Sequence, residues 1–510
     1  MSASQDEIPK RYGPKNWREL FTSCPPITEL IFQCLNVEDS LNCREVYPEW
    51  ALAVDTNKRV LARARKIPIW RAAEDGHSKT VEYLIAQGID PNERHIAALT
   101  PLMRAASGGH IDTARLLIEK GADVDAADSH QETALTKTAK MGHVDLAGML
   151  MENGANVNSQ DSYGEQALNK AALKNHWALA ILLIENGAHV NSFDRYRVTP
   201  LMRAATEGQC NIARLLIEYG ANVNTTVNRE TAFRREPALS RAAEHGHWDL
   251  ARLLIESGAN VNTVDKHLET PLMRAANEGR CDIARMLILK GANVDAEDTH
   301  RETALNKVQM GHHDMARLLI QYGANVNAMD RNKETTLAKA AELRDFEMAR
   351  LLVENGADLG VEETGLAALA KAADGSDVRM SRLLIQAGAD VNQCLWEAVQ
   401  GGNLPRVKFL FKIGADVNAL YEDGRSALIL AVSMGRMDFV EWLISNGADV
   451  NVIDKRGNSA LAIAAQKGHC DIAKLLIAKG ANVNLSGTHG TGAWRTESDR
   501  SCLQFMPQFF

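Results

Sequence analysis

The feature that most constrains this chain is a period. A short marker, G-[AI]-[DNH], recurs at Gly88, Gly121, Gly154, Gly187, Gly220, Gly258, Gly291, Gly323, Gly356, Gly388, Gly414, Gly447 and Gly480, at intervals of 33, 33, 33, 33, 38, 33, 32, 33, 32, 26, 33 and 33 residues. Self-similarity on this scale marks an array whose units cannot bury their own apolar face and bury it by stacking. Each unit reads as a turn segment, then L-x-x-A-A-x-x-G-H, then an A-R-L-L-I-E run, then G-A-N-V-N. Leu102, Ala105 and Ala106 fall at i, i+3 and i+4, one face of a first helix, and Leu116 and Leu117 begin the inner face of a second. Gly109 and Gly121 stand where each helix should stop, because a C-terminal cap favours positive φ. The 510-residue length would allow about three ordinary domains. The period instead assigns 67–484 to one all-α array of thirteen repeats, numbered here by their marker glycines, with a continuous core and a break near 389–396. There the 26-residue interval and Asn392-Gln-Cys-Leu-Trp leave no room for a hairpin.

The pattern resembles the ankyrin repeat, with its 33-residue period and T-P-L-H-x-A signature. The nearest copies are Thr100-Pro-Leu-Met-Arg-Ala-Ala, Thr199-Pro-Leu-Met-Arg-Ala-Ala and Thr270-Pro-Leu-Met-Arg-Ala-Ala. The resemblance implies a solenoid of helix-turn-helix plus hairpin units that binds protein partners. One departure runs through the array. The signature His is replaced, by Trp70, Met103, Thr136, Asn169 and Met202 in the first five repeats. In the family that His bonds toward neighbouring backbone, so the hairpins here are expected to be less firmly held.

Residues 1–20 form a polar tail, and 21–66 do not follow the period. Their apolar set (Ile27, Leu30, Ile31, Leu35, Leu41, Val46, Trp50) reads as three short helices, too little to bury a good core alone. The string resembles an F-box, the module that docks substrate receptors onto the Skp-type adaptor of cullin-based ubiquitin ligases. The matching residues are Pro25, Ile27, Ile31, Phe32, Leu35, Asp39, Leu41, Cys43, Arg44, Val46 and Trp50, while the leading Leu-Pro is weakened to Ser23-Cys24-Pro25. The resemblance implies adaptor contacts by Pro25, Ile27, Ile31, Phe32, Leu35, Leu41, Val46 and Trp50. The alternative is a helical cap on the array. No Gly/Ser/Pro-rich linker separates 21–66 from the first repeat, which predicts a fixed orientation between the two.

Two positions after the signature Leu, ten consecutive repeats hold a cation: Arg71, Arg104, Lys137, Lys170, Arg203, Arg241, Arg274, Lys307, Lys339 and Lys371. At 100° per residue this position lies about 200° from the inward Leu, so it should face solvent. With helices about 8 to 10 Å apart the ten make a basic stripe, a candidate surface for an acidic patch on a protein partner; nucleic acid is the less favoured alternative. Arg71, Arg203, Arg241, Arg274 and Lys371 have an acid at i+3 or i+4, whereas Arg104, Lys137, Lys170 and Lys307 do not, so the stripe should keep uncancelled charge. The last three repeats hold Glu397, Leu430 and Ile463 there. A second row (Arg115, Arg214, Arg252, Arg285, Arg317, Arg350, Arg382) reads as a solvated face. The 38-residue interval suggests a contact finger at Arg229, Phe233, Arg234 and Arg235.

Composition excludes more than it assigns. A net charge of -8 argues against a surface built wholly for nucleic acid. The polar N-terminus and the lack of a long apolar run disfavour secretion and membrane spanning, and eight scattered cysteines fit a reducing cytosol or nucleus. Seven histidines occupy the Gly-His turn, and no C-x-x-C, Walker loop, G-x-S-x-G or H-E-x-x-H occurs, so neither enzyme chemistry, cofactor nor metal is expected. The tail 485–510 is expected to cover the last repeat.

Overall fold

The computed structural model describes residues 66–226, 236–359, 365–421 and 423–483. The F-box-like residues Pro25 to Trp50, the finger Arg229 to Arg235 and the C-terminal tail lie outside them. The chain divides into two compact units, residues 1–263 and 264–510. The first holds α1 Ile69–Glu74, α2 Ser78–Ala86, α3 Pro101–Gly108, α4 Ile111–Glu119, α5 Ala134–Met141, α6 Val144–Glu152, α7 Ala167–Leu173, α8 Trp177–Glu185, α9 Pro200–Thr206, α10 Cys210–Glu218, α11 Ala238–Glu244 and α12 Trp248–Glu256. The second holds α13 Pro271–Asn277, α14 Cys281–Leu289, α15 His313–Gln321, α16 Thr336–Glu342, α17 Phe346–Glu354, α18 Gly365–Asp374, α19 Val378–Gln386, α20 Val391–Gln400, α21 Leu404–Lys412, α22 Ala427–Ser433, α23 Met437–Ser445, α24 Ala460–Gln466 and α25 Cys470–Ala478. Among the described residues the architecture is all-helical, with pairing between extended segments limited to isolated antiparallel bridges such as Met329 with Thr335.

Except for the first helix of repeat 8, the helices form where the period placed them. Leu102, Ala105 and Ala106 are fully buried on α3, and Gly109 takes φ 76° at its C-cap. On α4 the inner face is Thr113, Ala114 and Leu117, while Leu116 is only half-buried. The start of most first helices is fixed by a side-chain oxygen, Thr199 accepting from the Met202 amide and Ser459 from the Ala462 amide, whereas Pro68 and Pro237 precede α1 and α11 without such a bond.

Three devices join neighbouring repeats. The Gly-His turn is the first: an added Cβ on Gly109 would lie 2.6 Å from the His143 ring, and on Gly142 2.7 Å from His176, so glycine is needed for space as well as for positive φ. His110 Nε2 donates to the Glu74 carbonyl one repeat back, at 2.9 Å. The second is the last Asn of G-A-N-V-N. Asn158 donates to the Gly187 carbonyl (3.1 Å) and accepts from the His189 amide (2.8 Å), and Asn418 does the same to Gly447 and Asp449. The third sits where the signature His is missing. Asn169 accepts from the Gln166 amide (3.0 Å) and donates to the Ser192 carbonyl (3.2 Å), and Asn306 donates to the Ala328 carbonyl and the Thr336 hydroxyl, both at 3.2 Å. At these two repeats the expected weakening does not follow, because asparagine offers a donor and an acceptor at the same reach.

Two repeats depart from the pattern. In repeat 11, Asp390 caps α20 directly through the Asn392 and Gln393 amides and no hairpin precedes it, as the 26-residue interval requires. In repeat 8 the segment 304–307 is turns rather than a first helix. Its interval is 32 residues, and Glu302-Thr-Ala-Leu-Asn-Lys-Val-Gln-Met-Gly is one residue shorter between Leu305 and Gly311 than repeat 3 is between Leu135 and Gly142. Losing one residue rotates everything after it by about 100°, so one helix cannot keep both ends of its inner face in register.

Candidate partner-binding surface

Nine of the ten ladder residues lie on first helices and Lys307 lies in the turn that replaces one, and their surroundings differ from those of an isolated helix. In repeats 3 to 5 and 7 to 9 the preceding hairpin meets the cation with one or two carboxylates. In repeat 3 the Asp128 carboxylate accepts the His130 and Glu132 amides (2.8 and 2.9 Å) with one oxygen, and its other oxygen takes the Lys137 ammonium at 2.8 Å. Glu132 also accepts from Lys137 at 2.8 Å. Repeat 4 repeats the arrangement with Asp161, Glu165 and Lys170, the Asp161–Lys170 pair being 2.6 Å.

In the second compact unit Arg274 meets Asp265 (2.7 Å) and Glu269 (2.6 Å), and Lys307 meets Asp298 (2.8 Å) and Glu302 (2.6 Å). The glutamates also reach the next repeat. Glu269 lies 3.0 Å from Lys307, Glu302 2.6 Å from Lys339 and Glu334 3.2 Å from Lys371. From Asp265 to Lys339 acids and cations therefore alternate as one ion-pair network, with Glu334, Lys371 and Glu342 as a separate group beyond it.

The uncancelled charge expected at Arg104, Lys137, Lys170 and Lys307 is not there. Arg104 bonds Glu74 of the previous repeat at 2.9 Å, and the Lys137, Lys170 and Lys307 side chains are only 12%, 10% and 17% exposed. Helix spacing alone could not show this, since the partners sit five and nine residues before the cation or in the preceding repeat. Arg203 meets Asp194 at 2.7 Å and Lys371 meets Glu342 at 2.8 Å. Arg241 donates to the Glu236 carbonyl and the Thr206 hydroxyl, and burial lowers its pKa. Arg71 follows the i+3 and i+4 expectation closely, with Glu74 and Asp75 and a side chain 54% exposed.

The electrostatics follow from pairing. Burial by itself would raise the Asp298 carboxyl and lower the Lys307 ammonium, yet mutual hydrogen bonding outweighs it, holding Asp298 below and Lys307 above their ordinary values. Glu302 is lowered in the same way by Lys307 and Lys339, and Lys170 is raised by Asp161 and Glu165. In the second row Arg115, Arg214, Arg285, Arg317, Arg350 and Arg382 are exposed, as a solvated face requires, and Arg252 is partly covered.

The hairpin acids were missed in the sequence although a signal was present. The spacing D-x-x-x-E-x-x-x-x-[KR] occurs at Asp128/Glu132/Lys137, Asp161/Glu165/Lys170, Asp265/Glu269/Arg274, Asp298/Glu302/Lys307 and Asp330/Glu334/Lys339. Among the described residues no group of His, Cys, Asp and Glu is placed to hold a metal, and no helix is long and apolar enough to cross a membrane.

Comparison with known families gives one description. The model for "Ankyrin repeats (3 copies)" matches residues 69–161, 159–227, 225–298, 303–394 and 395–486, and no F-box match accompanies it. A search of curated proteins finds no match. With the helix pairs, the glycine-stopped turns and the family model in agreement over most of its length, the chain belongs to the ankyrin-repeat family.

Proposed function

We propose that this chain is the substrate-recognition subunit of a Skp-cullin-F-box type ubiquitin ligase. Residues 21–66 dock the Skp-type adaptor, and through it the cullin, while the hairpin and first-helix face of the repeats holds a protein target. Ankyrin repeats are protein-interaction modules, typically without enzyme activity of their own, which supports the target-binding half. The observation that carries the adaptor half is Asp39-x-Leu41-x-Cys43-Arg44-x-Val46-x-x-x-Trp50, running into the first repeat without a flexible linker.

The ion-paired ladder changes what the target should look like. A polyanion needs several cations free to neutralise phosphates, and the ladder cations are already engaged. The RNA reading and the acidic-patch preference both lose the support that the stripe gave them. An ankyrin scaffold with no ubiquitin role remains as the second reading.

Co-expression of the full chain with a Skp-type adaptor separates the two. A stable complex is expected, lost on Leu41→Asp with Trp50→Ala. Failure of the intact chain to bind, under conditions where a control F-box binds, overturns the adaptor half.

A further inference from the structure

We propose that the hairpin tip before α9, Arg195-Tyr196-Arg197, docks an acidic, extended segment of the protein partner. This rests on the array being a protein-binding surface and not on the ubiquitin role.

Four observations meet at this tip. First, Arg195 and Arg197 are exposed and have no carboxylate partner among the described residues, unlike the ladder cations. The nearby acids are spent: Asp194 accepts the Tyr196 and Val198 amides and pairs with Arg203, while Glu165 accepts the Arg195 amide and pairs with Lys170.

Second, both guanidiniums are held on aromatic faces. Arg195 lies 4.8 Å from the Tyr196 ring centroid and Arg197 4.7 Å from that of Phe193. A stacked guanidinium keeps its N–H edges free, in the planar fork that matches a carboxylate bidentately, and less side-chain entropy is lost on binding.

Third, Arg197 has φ 62°, in the left-handed region. The equivalent hairpin position is glycine in Gly164, Gly424 and Gly457 and a non-glycine residue, also with positive φ, in Gln131, Leu268, Arg301 and Lys333, so the left-handed turn is common to the hairpins. What differs is the residue four positions back: Arg301 meets Glu297 there at 3.4 Å, whereas Arg197 has Phe193 and makes no ion pair within the described residues.

Fourth, Tyr163 on the previous hairpin is 65% exposed and Tyr196 43% exposed, so consecutive tips present two rings beside the two forks. A nucleic acid fits this surface less well. The tip offers two free cations, and the Tyr196 ring is already contacted by Arg195 and by Arg203 at 5.9 Å, which leaves it poorly placed to stack a base.

Fluorescence anisotropy on the full chain with a labelled hexa-glutamate peptide tests the assignment. Arg195→Glu with Arg197→Glu should weaken binding at least about tenfold, as expected for charge-assisted bidentate contacts, whereas Arg115→Glu on the exposed second-helix row should change it less than about twofold. Arg197→Gly should also weaken binding, with a thermal midpoint equal to or above that of the parent, so that loss of binding is not loss of fold. Unchanged affinity in the double variant overturns the proposal, as does an equal loss from Arg115→Glu. Tighter binding of a ten-nucleotide oligouridine through the same arginines overturns it in favour of RNA. A chain that binds no Skp-type adaptor but loses hexa-glutamate with the tip arginines sinks the ligase reading alone; adaptor binding with tip-independent peptide binding sinks this one alone.

Discussion

Within the second compact unit, repeats 7 to 9 and repeats 12 and 13 place different chemistry in the same socket between hairpin and first helix. In the former, Arg274, Lys307 and Lys339 fill it, ringed by Asp265, Glu269, Asp298, Glu302 and Asp330. In the latter, Leu430 and Ile463 fill it and are buried. Asp454 in repeat 13 shows what makes the exchange possible. It still accepts two hairpin amides, from Arg456 and Asn458, but its second oxygen takes the Asn458 side-chain amide at 3.2 Å instead of a ladder cation. In repeat 12 Tyr421 takes the aspartate's place altogether; where the hairpin holds an aspartate, that aspartate needs one more donor. A cation nine residues later is one supply and an asparagine four residues later is another.

The largest effect should come from removing a cation while leaving its acids. Lys307→Ala strands the second oxygen of Asp298, whose side chain is 1% exposed, and takes one partner each from Glu269 and Glu302, which keep Arg274 and Lys339. Breaking such a pair typically costs about 3 to 5 kcal/mol. Because contacts in a repeat array are between neighbours, the loss should appear as faster amide exchange concentrated in repeats 7 to 9. Global loss of structure without that local signature would break the comparison.

Leu430→Ala in the apolar socket should cost less, about 2 to 4 kcal/mol, through lost burial and a cavity. It leaves no charge behind, so the deficit should be insensitive to pH between about 5 and 9, measured by urea unfolding. A pH-dependent deficit would mean that the socket near Leu430 is electrostatically coupled after all.

Asn306→Ala should cost about 1 to 3 kcal/mol by stranding the Ala328 carbonyl and the Thr303 amide. This residue and Asn169 show where the sequence was legible and where it was not. Helix faces, glycine stops and the missing hairpin of repeat 11 could be read directly, because each depends on residues close in sequence. The loss of the signature His was visible too, but not that asparagine would take over its bonds at two repeats, since its acceptor belongs to the next repeat's hairpin. The ladder failed for the same reason. Its positions were read correctly, and its partners lie across a fold that helix geometry does not contain. Counting acids at minus five and minus nine would have found most of them.

The smallest effect per residue, and the one that divides the two regions most cleanly, is titration. Asp128, Asp298, Glu302 and Asp330 have lowered pKa values in the fold, burial being outweighed by hydrogen bonds to Lys137, Lys307 and Lys339 and to the hairpin amides. A lowered carboxyl gives stability that is present above its unfolded pKa, about 4, and lost as pH falls through the folded value. Lys307 and Lys339 are raised, so their contribution is present below about 10.4 and lost as pH rises through the folded value. The ladder repeats should therefore loosen at both ends of the range, below about pH 4 and above about pH 10. In repeat 12 slight burial of Asp423 is outweighed by its hydrogen bond to Arg425, and Arg436 lowers Asp438, but both pairs are exposed and screened, so repeats 12 and 13 should loosen less in acid than the ladder repeats. Amide exchange at pH 3.5 and pH 7, with rates corrected for intrinsic pH dependence, compares them in one molecule. Equal acid protection of Lys307's helix-side neighbours and of α22 would mean that the hairpin carboxylates contribute no more than the leucine that replaces their cation, and the network would be a consequence of the fold rather than a support for it.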